Sequence, residues 1–212
     1  LTDLAQRRMR HDQRIARTGF ALAEFDRADT NLTLQDWNLA RSGPAHMSRY
    51  AAQVRCPAAA FGLRLQCEAT QPLLVQGENG WSRKGPHPAQ ASLYYSQPQL
   101  SVKGSLQLDA REIAVQGRAW LDHEWADALL DPQAVGWDWI GMNLHDGSAL
   151  TAFRLRRADG QTLYAGGSFR RAGGAARIDA AQAVGFTPQR WWTSPHSGAR
   201  YPVQWAIETS SG

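Results

Sequence analysis

The sequence has little of what marks a membrane, disulfide or metal protein. No run of about 18 apolar residues occurs, which excludes a membrane-spanning helix. Only two cysteines are present, Cys56 and Cys67, and their separation matches no zinc motif. Cys67 falls in FGLRLQCEA, where Phe61, Leu63, Leu65 and Cys67 share one face of an alternating strand, so a buried thiol is expected. A disulfide between the two would require neighbouring strands to set them opposite each other, in an oxidising compartment. There is no internal repeat, no low-complexity linker, no Gly-x-Ser-x-Gly elbow and no second histidine at ligand spacing from His123. These absences weigh against a hydrolase of the serine or metal type. No signal-peptide pattern opens the sequence, and a chain that begins at Leu1 is expected to lack its true start.

Charge of one sign is not concentrated either. The formal net charge is +4 and the pI about 9.4, yet the basic residues are spread along most of the chain. Only Arg7, Arg8, Arg10, Arg14 and Arg17 cluster, interrupted by Asp12, and no base-reading motif accompanies them. The cluster reads as a solvated segment, and nucleic acid is not an expected partner.

What the sequence does have is alternation. Hydrophobic residues make up 43% and charged residues 20%, which suits a globular protein and is too apolar for disorder. The apolar period is mostly two: LTLQDWNLA, FGLRLQCEA, LLVQG, LSVKGSLQL, REIAVQGRAWLDHEW, GWDWIGMNL, SALTAFRLR, TLYAGGSFRR and YPVQWAIE all read as strands between Gly, Asp and Pro turns. Many short strands predict an all-β barrel or sandwich. Helix is predicted only near residues 3 to 17 and in WADALLDP. Asp146-Gly147 predicts a two-residue hairpin turn that sets 136 to 144 antiparallel to 149 to 157, and Asp159-Gly160 a second reversal.

That turn places Ile140 opposite Phe153, Met142 opposite Thr151 and Asp138 opposite Leu155, giving an apolar face broken only by Asp138. Trp139 then pairs with Arg154 and Trp137 with Arg156 on the other face. In REIAVQGRAWLDHEW, alternation groups Ile113, Val115, Ala119, Leu121, His123 and Trp125 on one face and sends Asp122 and Glu124 to the other. Asp122, His123 and Glu124 therefore cannot converge on one ion, and neither a metal nor another cofactor is expected. His123 is either a core histidine bonded to backbone or an imidazole facing an apolar cavity with Asp138 as its carboxylate partner.

Five stretches in collinear order, GWSRKG, ASLYYSQPQL, GRAWLDHEW, GWDWIGMNLHDG and WWTSPHSGARYPVQW, resemble the AttH-type lipocalin-like proteins, which are similar to the carotenoid 1,2-hydratases. The resemblance implies an all-β fold of two consecutive lipocalin-like antiparallel barrels. The first is expected over residues 1–130 and the start of the second over 131–212, both incomplete in this chain. It also implies export, to the periplasm or beyond. Asp122, His123, Glu124 and Trp125 match the Asp-His-x-Trp motif of the hydratases. The Tyr and Asp that those enzymes place on a following strand have no counterpart in SALTAFRLR.

Two functions stay open on this reading. One is a hydro-lyase acting on an isoprenoid or other hydrophobic molecule, with His123, Asp138, Asp122 and Glu124 as candidate catalytic residues and Trp125, Leu121, Ile140, Met142, Phe153 and Tyr95 walling the cavity. His123 would donate the proton, and the aromatic faces would stabilise the resulting cation. The other is a non-catalytic carrier of a lipid or polyketide in the same apolar lumen.

Overall fold

A computed structural model describes residues 1–127, 130–174, 176–179 and 184–209. Strand accounts for 59% of the chain and helix for 3%, so the chain is all-β, as its alternation requires. In chain order the strands are β1 (Thr2–Asp3), β2 (Arg8–Met9), β3 (Ala23–Phe25), β4 (Asn31–Leu34), β5 (Trp37–Ser42), β6 (Arg49–Cys56) and β7 (Phe61–Glu68). They continue with β8 (Leu74–Val75), β9 (Trp81–Arg83), β10 (Ala91–Leu108), β11 (Arg111–Trp125), β12 (Gly136–Asn143), β13 (Ala149–Arg156), β14 (Thr162–Arg170), β15 (Ala176–Asp179), β16 (Val184–Thr193) and β17 (Arg200–Thr209). Among the described residues, no helix is long and apolar enough to cross a membrane.

The chain forms two compact units, Leu1–Pro72 with Gln99–Ala119, and Leu73–Pro98 with Trp120–Gly212. The division is interleaved, whereas the sequence reading placed a single boundary at residue 130. In the first unit β3 to β7 form an antiparallel meander, with the second half of β10 beside β7 and β11 beyond it. The sheet curls around Tyr50, Cys56, Cys67, Leu100 and Val102. Both cysteines are buried free thiols, and burial pushes their pKa up. Cys67 lies opposite Tyr50 and Cys56 opposite Phe61, at opposite ends of the β6–β7 hairpin. That sets them roughly 20 Å apart along the strands, beyond disulfide reach.

The helix predicted over residues 3 to 17 is not there. The segment is a short β1–β2 ribbon followed by irregular chain, because two of its arginines are tied down as anchors instead of lying on a solvated face. Arg10 is buried and donates to the carbonyls of Ala59 and Ala60 and, through both terminal nitrogens, to Asp109. Arg14 pairs with Asp36 and lies over the Trp37 ring. In WADALLDP, residues 126–127 and 130–131 are irregular, and residues 128 and 129 lie outside the described residues.

In the second unit β8 and β9 pair with the first half of β10, β12 to β15 form a four-stranded antiparallel sheet, and β16 and β17 form a hairpin. The pairing of β12 with β13 is as predicted, but the register differs by one residue. Asp138 lies opposite Arg154, Trp139 opposite Phe153 and Gly141 opposite Thr151. The cause is the turn. Leu144 N–H bonds to Ser148 O and Gly147 N–H to Leu144 O, and positive φ occurs at Gly147 (86°) but not at Asp146. The loop therefore has three residues closed by a bulge at Gly147, and the Asp146 carboxylate accepts from Ser148 N–H. Asp159-Gly160 reverses the chain in the same way, with Gly160 at φ 82°.

The β13–β14 pair also packs too closely for a side chain at Gly167, where a Cβ would stand 2.4 Å from the Thr151 carbonyl oxygen. Gly117 on β11 has nothing within 4 Å of its Cβ position. Gly167→Ala should lower stability by about 1–3 kcal/mol. Gly117→Ala should be neutral or stabilise by about 0.4–1 kcal/mol. Urea denaturation of the two variants beside the parent checks both.

Candidate functional site

The GRAWLDHEW motif occupies the end of β11, and alternation there works as the sequence indicates, but the faces are used in the opposite sense. The buried partners lie on the side of Asp122 and Glu124. Strand β10 presents Ser92, Tyr94 and Ser96 to them, all buried. The Tyr94 hydroxyl donates to Asp122 Oδ1 at 2.8 Å and the Ser96 hydroxyl to the same oxygen at 2.6 Å. Ser92 donates to Glu124 Oε1.

The remaining charge comes from the strand β9 end. Lys84 continues the β9–β10 ladder through its N–H to Gln90 O, and its Nζ reaches Glu124 Oε1 at 3.0 Å and Ser82 Oγ at 3.0 Å. The ammonium lies among ring faces, 4.4 Å from the Phe153 centroid, 4.6 Å from Tyr94 and 5.6 Å from Trp137. Burial pulls the Lys84 pKa down, against the opposing pull of Glu124 and Asp122. Burial and the neighbouring Asp122 charge push the Tyr94 phenol up, so it remains a neutral donor.

Beneath Asp122 the polar groups are satisfied in a chain. Gln76 Nε2 donates to Ser96 Oγ at 2.9 Å and to Thr151 Oγ1 at 3.1 Å, and Gln76 Oε1 accepts from Ser168 Oγ at 2.7 Å. Because Ser96 Oγ accepts from Gln76, its one proton is directed to Asp122. Above Lys84 and Glu124 opens a cleft of about 280 Å³, with Ala91, Trp125, Ala126, Leu130 and Trp137 among its walls. An apolar opening with the Lys84–Glu124 ion pair in its wall, and the hydroxyl-bound Asp122 two residues along the same strand face from Glu124, is suited to proton transfer on a molecule that is otherwise hydrophobic.

The other predicted residues are distributed differently. His123 is exposed, with its Nδ1 2.8 Å from the Tyr95 hydroxyl and its ring 5.0 Å from Trp125. Asp138 is not its partner. The carboxylate accepts from Arg154 Nε and Nη2 and from Arg156 Nε, because the one-residue change of register puts Arg154 directly across from it. Ile140 and Met142 share the Asp138 face, so they part from Phe153, which faces Lys84. Tyr95 and Leu121 fall on the His123 face, and Trp125 reaches the rim of the cleft. Lys84, Tyr94 and Gln76 escaped the sequence reading. The one signal for Lys84 is its rarity, since Lys84 and Lys103 are the only lysines in a chain with 23 basic Lys and Arg residues.

The family model described as AttH-like matches residues 1–212. The crystal structure of an AttH-designated protein from Nitrosomonas europaea is 42% identical, superposes with a TM-score of 0.90, and aligns with 98% of this chain and 63% of its own. Kievitone hydratase from Nectria haematococca shares the fold at a TM-score of 0.66 and 16% identity, over 84% of this chain and 54% of its own. The chain thus spans less than two thirds of either neighbour. No protein of curated function matches it.

Two outcomes follow from this geometry. Asp138→Ala should cost about 3–5 kcal/mol, since it strands Arg154 and Arg156 where Asp138 is nearly solvent-free. Denaturant unfolding measures the loss. Because Lys84 binds its proton less tightly when folded than when unfolded, the penalty for holding it charged is present at neutral pH. That penalty is relieved as pH rises toward the ordinary lysine value of 10.5. Stability should therefore climb more with pH in the parent than in Lys84→Met across that alkaline window, as denaturant midpoints at stepped pH will show.

Proposed function

The chain belongs to the AttH-like family, and from that membership and the chemistry of the cleft we propose that it adds water to, or removes it from, a hydrophobic substrate. The observation that carries this reading is the Lys84–Glu124 pair, 3.0 Å apart on the wall of one apolar opening, with the Tyr94–Asp122 pair, bonded at 2.8 Å, beside it, where the Tyr94 ring lies 4.6 Å from Lys84 Nζ. That a structural neighbour is a hydratase by name supports it as well.

Water addition delivers a proton to one carbon of a double bond and hydroxide to the other. Asp122, held as an acceptor by Tyr94 and Ser96, takes the proton that the attacking water loses. Lys84 gives a proton to the other carbon, helped by the burial that loosens its hold, and Glu124 keeps it aligned. The proton then returns from Asp122 to Lys84 by way of solvent in the cleft. A lysine ammonium is too weak an acid for an isolated alkene, so the double bonds that fit best are those polarised by an adjacent carbonyl. The roles first sought in His123 and Asp138 thus pass to Asp122, Glu124, Tyr94 and Lys84.

The test uses the full-length protein with a panel of apolar enones and a lycopene-like polyene, following the mass gain of one water. Asp122→Asn and Lys84→Met should each lower kcat about 10²–10⁴-fold. Binding, read from the fluorescence of Trp125 and Trp137, should change little, because the proton is needed only in the transition state. Binding without turnover of any substrate would support the carrier instead, and unchanged turnover in both variants would overturn the assignment.

A further inference from the structure

We propose that Lys84 is a covalent capture site for apolar aldehydes and ketones, which it holds as an imine in the cleft. The proposal shares the cleft of the proposed water addition and does not require that reaction. Three observations carry it. Arginine does the work of fixed positive charge throughout the chain, as Arg10, Arg14, Arg154 and Arg156 illustrate, whereas Lys84 is one of only two lysines and is 6% exposed. Arginine cannot become a neutral nucleophile in a protein, and lysine can. Lys84 also lines the opening whose walls are Ala91, Trp125, Ala126, Leu130 and Trp137, so an apolar carbonyl compound that enters there meets the amine. Finally, the carboxylate needed to move protons is already in contact, Glu124 Oε1 at 3.0 Å from Nζ.

The step balances without any further reagent. Glu124 takes one proton from the Lys84 ammonium, leaving a lone pair on Nζ. That pair attacks the carbonyl carbon, and the carbonyl π electrons move to oxygen, which takes a proton from Glu124 to give the carbinolamine. Nζ then loses a further proton to Glu124 as the carbon–oxygen bond breaks, and the hydroxyl leaves as water with that proton. Ammonium and carbonyl have become a protonated imine and water, with Glu124 returned to its starting carboxylate. Removal of Lys84 from water favours the neutral amine on which the first step depends, since the side chain is 6% exposed.

Lys103 supplies an internal reference, because it is exposed and on the same chain. The full-length protein is incubated at neutral pH with octanal and sodium cyanoborohydride, which reduces an imine to a stable amine, and the adducts are mapped by peptide mass spectrometry. The expected result is modification of Lys84 while Lys103 stays unmodified over the same interval. Glu124→Gln should slow the Lys84 adduct on the order of a hundredfold, and glyceraldehyde, which lacks an apolar tail, should not select Lys84 over Lys103. Equal labelling of the two lysines, or no octanal adduct at Lys84, overturns the proposal. Both readouts are independent of water addition, so failure of one proposal is distinguishable from failure of the other.

Discussion

Alternation along the end of β11 is the constraint on which the site depends. In an extended strand, neighbouring side chains leave on opposite faces. Asp122 and Glu124 must therefore act together, and His123 must act apart from them. Placed toward Tyr94, Ser96, Ser92 and Lys84, the two carboxylates acquire hydroxyl donors and a cation. Placed outward, His123 meets Tyr95, at its hydroxyl and its ring, and the Trp125 ring. A slip of one residue would exchange the two sets, so the packing that fixes this register also fixes what chemistry the cleft can do.

Burying a charge is costly, and the site handles that cost in two ways. Asp138 lies between two guanidinium groups, and three of their N–H donors, all from β13, converge on its Oδ2. Lys84 is left in tension: burial weakens its hold on the proton while Glu124 strengthens it, and aromatic faces take up the rest of its field. The first is a brace and the second a reactive centre. Their difference lies in surroundings, since Lys84 borders an opening and Asp138 is held between Arg154 and Arg156. Gln76 shows the same economy among neutral groups, spending its amide on three hydroxyls so that Ser96 has one direction left in which to donate.

Much of this architecture was legible. The period-two runs mark most of the principal strands, both Asp-Gly pairs reverse the chain, and five collinear stretches resemble the family whose model spans residues 1–212. The errors came from choices that local pattern leaves open. Asp-Gly serves a two-residue turn or a three-residue turn with a bulge, and Asp146 decided for the second by accepting from Ser148 N–H. That single extra residue moved Arg154 opposite Asp138 and Phe153 opposite Trp139, which dissolved the expected His123–Asp138 pair. The arginines of the N-terminal segment likewise read as solvated until Ala59, Ala60 and Asp109 supplied partners far along the chain.

By itself the sequence determined that the chain is built of strands and that Asp122 and Glu124 stand opposed to His123, because both follow from the geometry of a few consecutive residues. Only the tertiary structure decided which of those faces meets buried partners. That choice depends on β8, β9 and β13 bringing Gln76, Lys84 and Phe153 against β10 and β11, contacts between residues distant in sequence. Alternation specifies two faces equally well and carries no sign for inside, and a polar face with Asp and Glu looks solvated until buried donors are found to meet it.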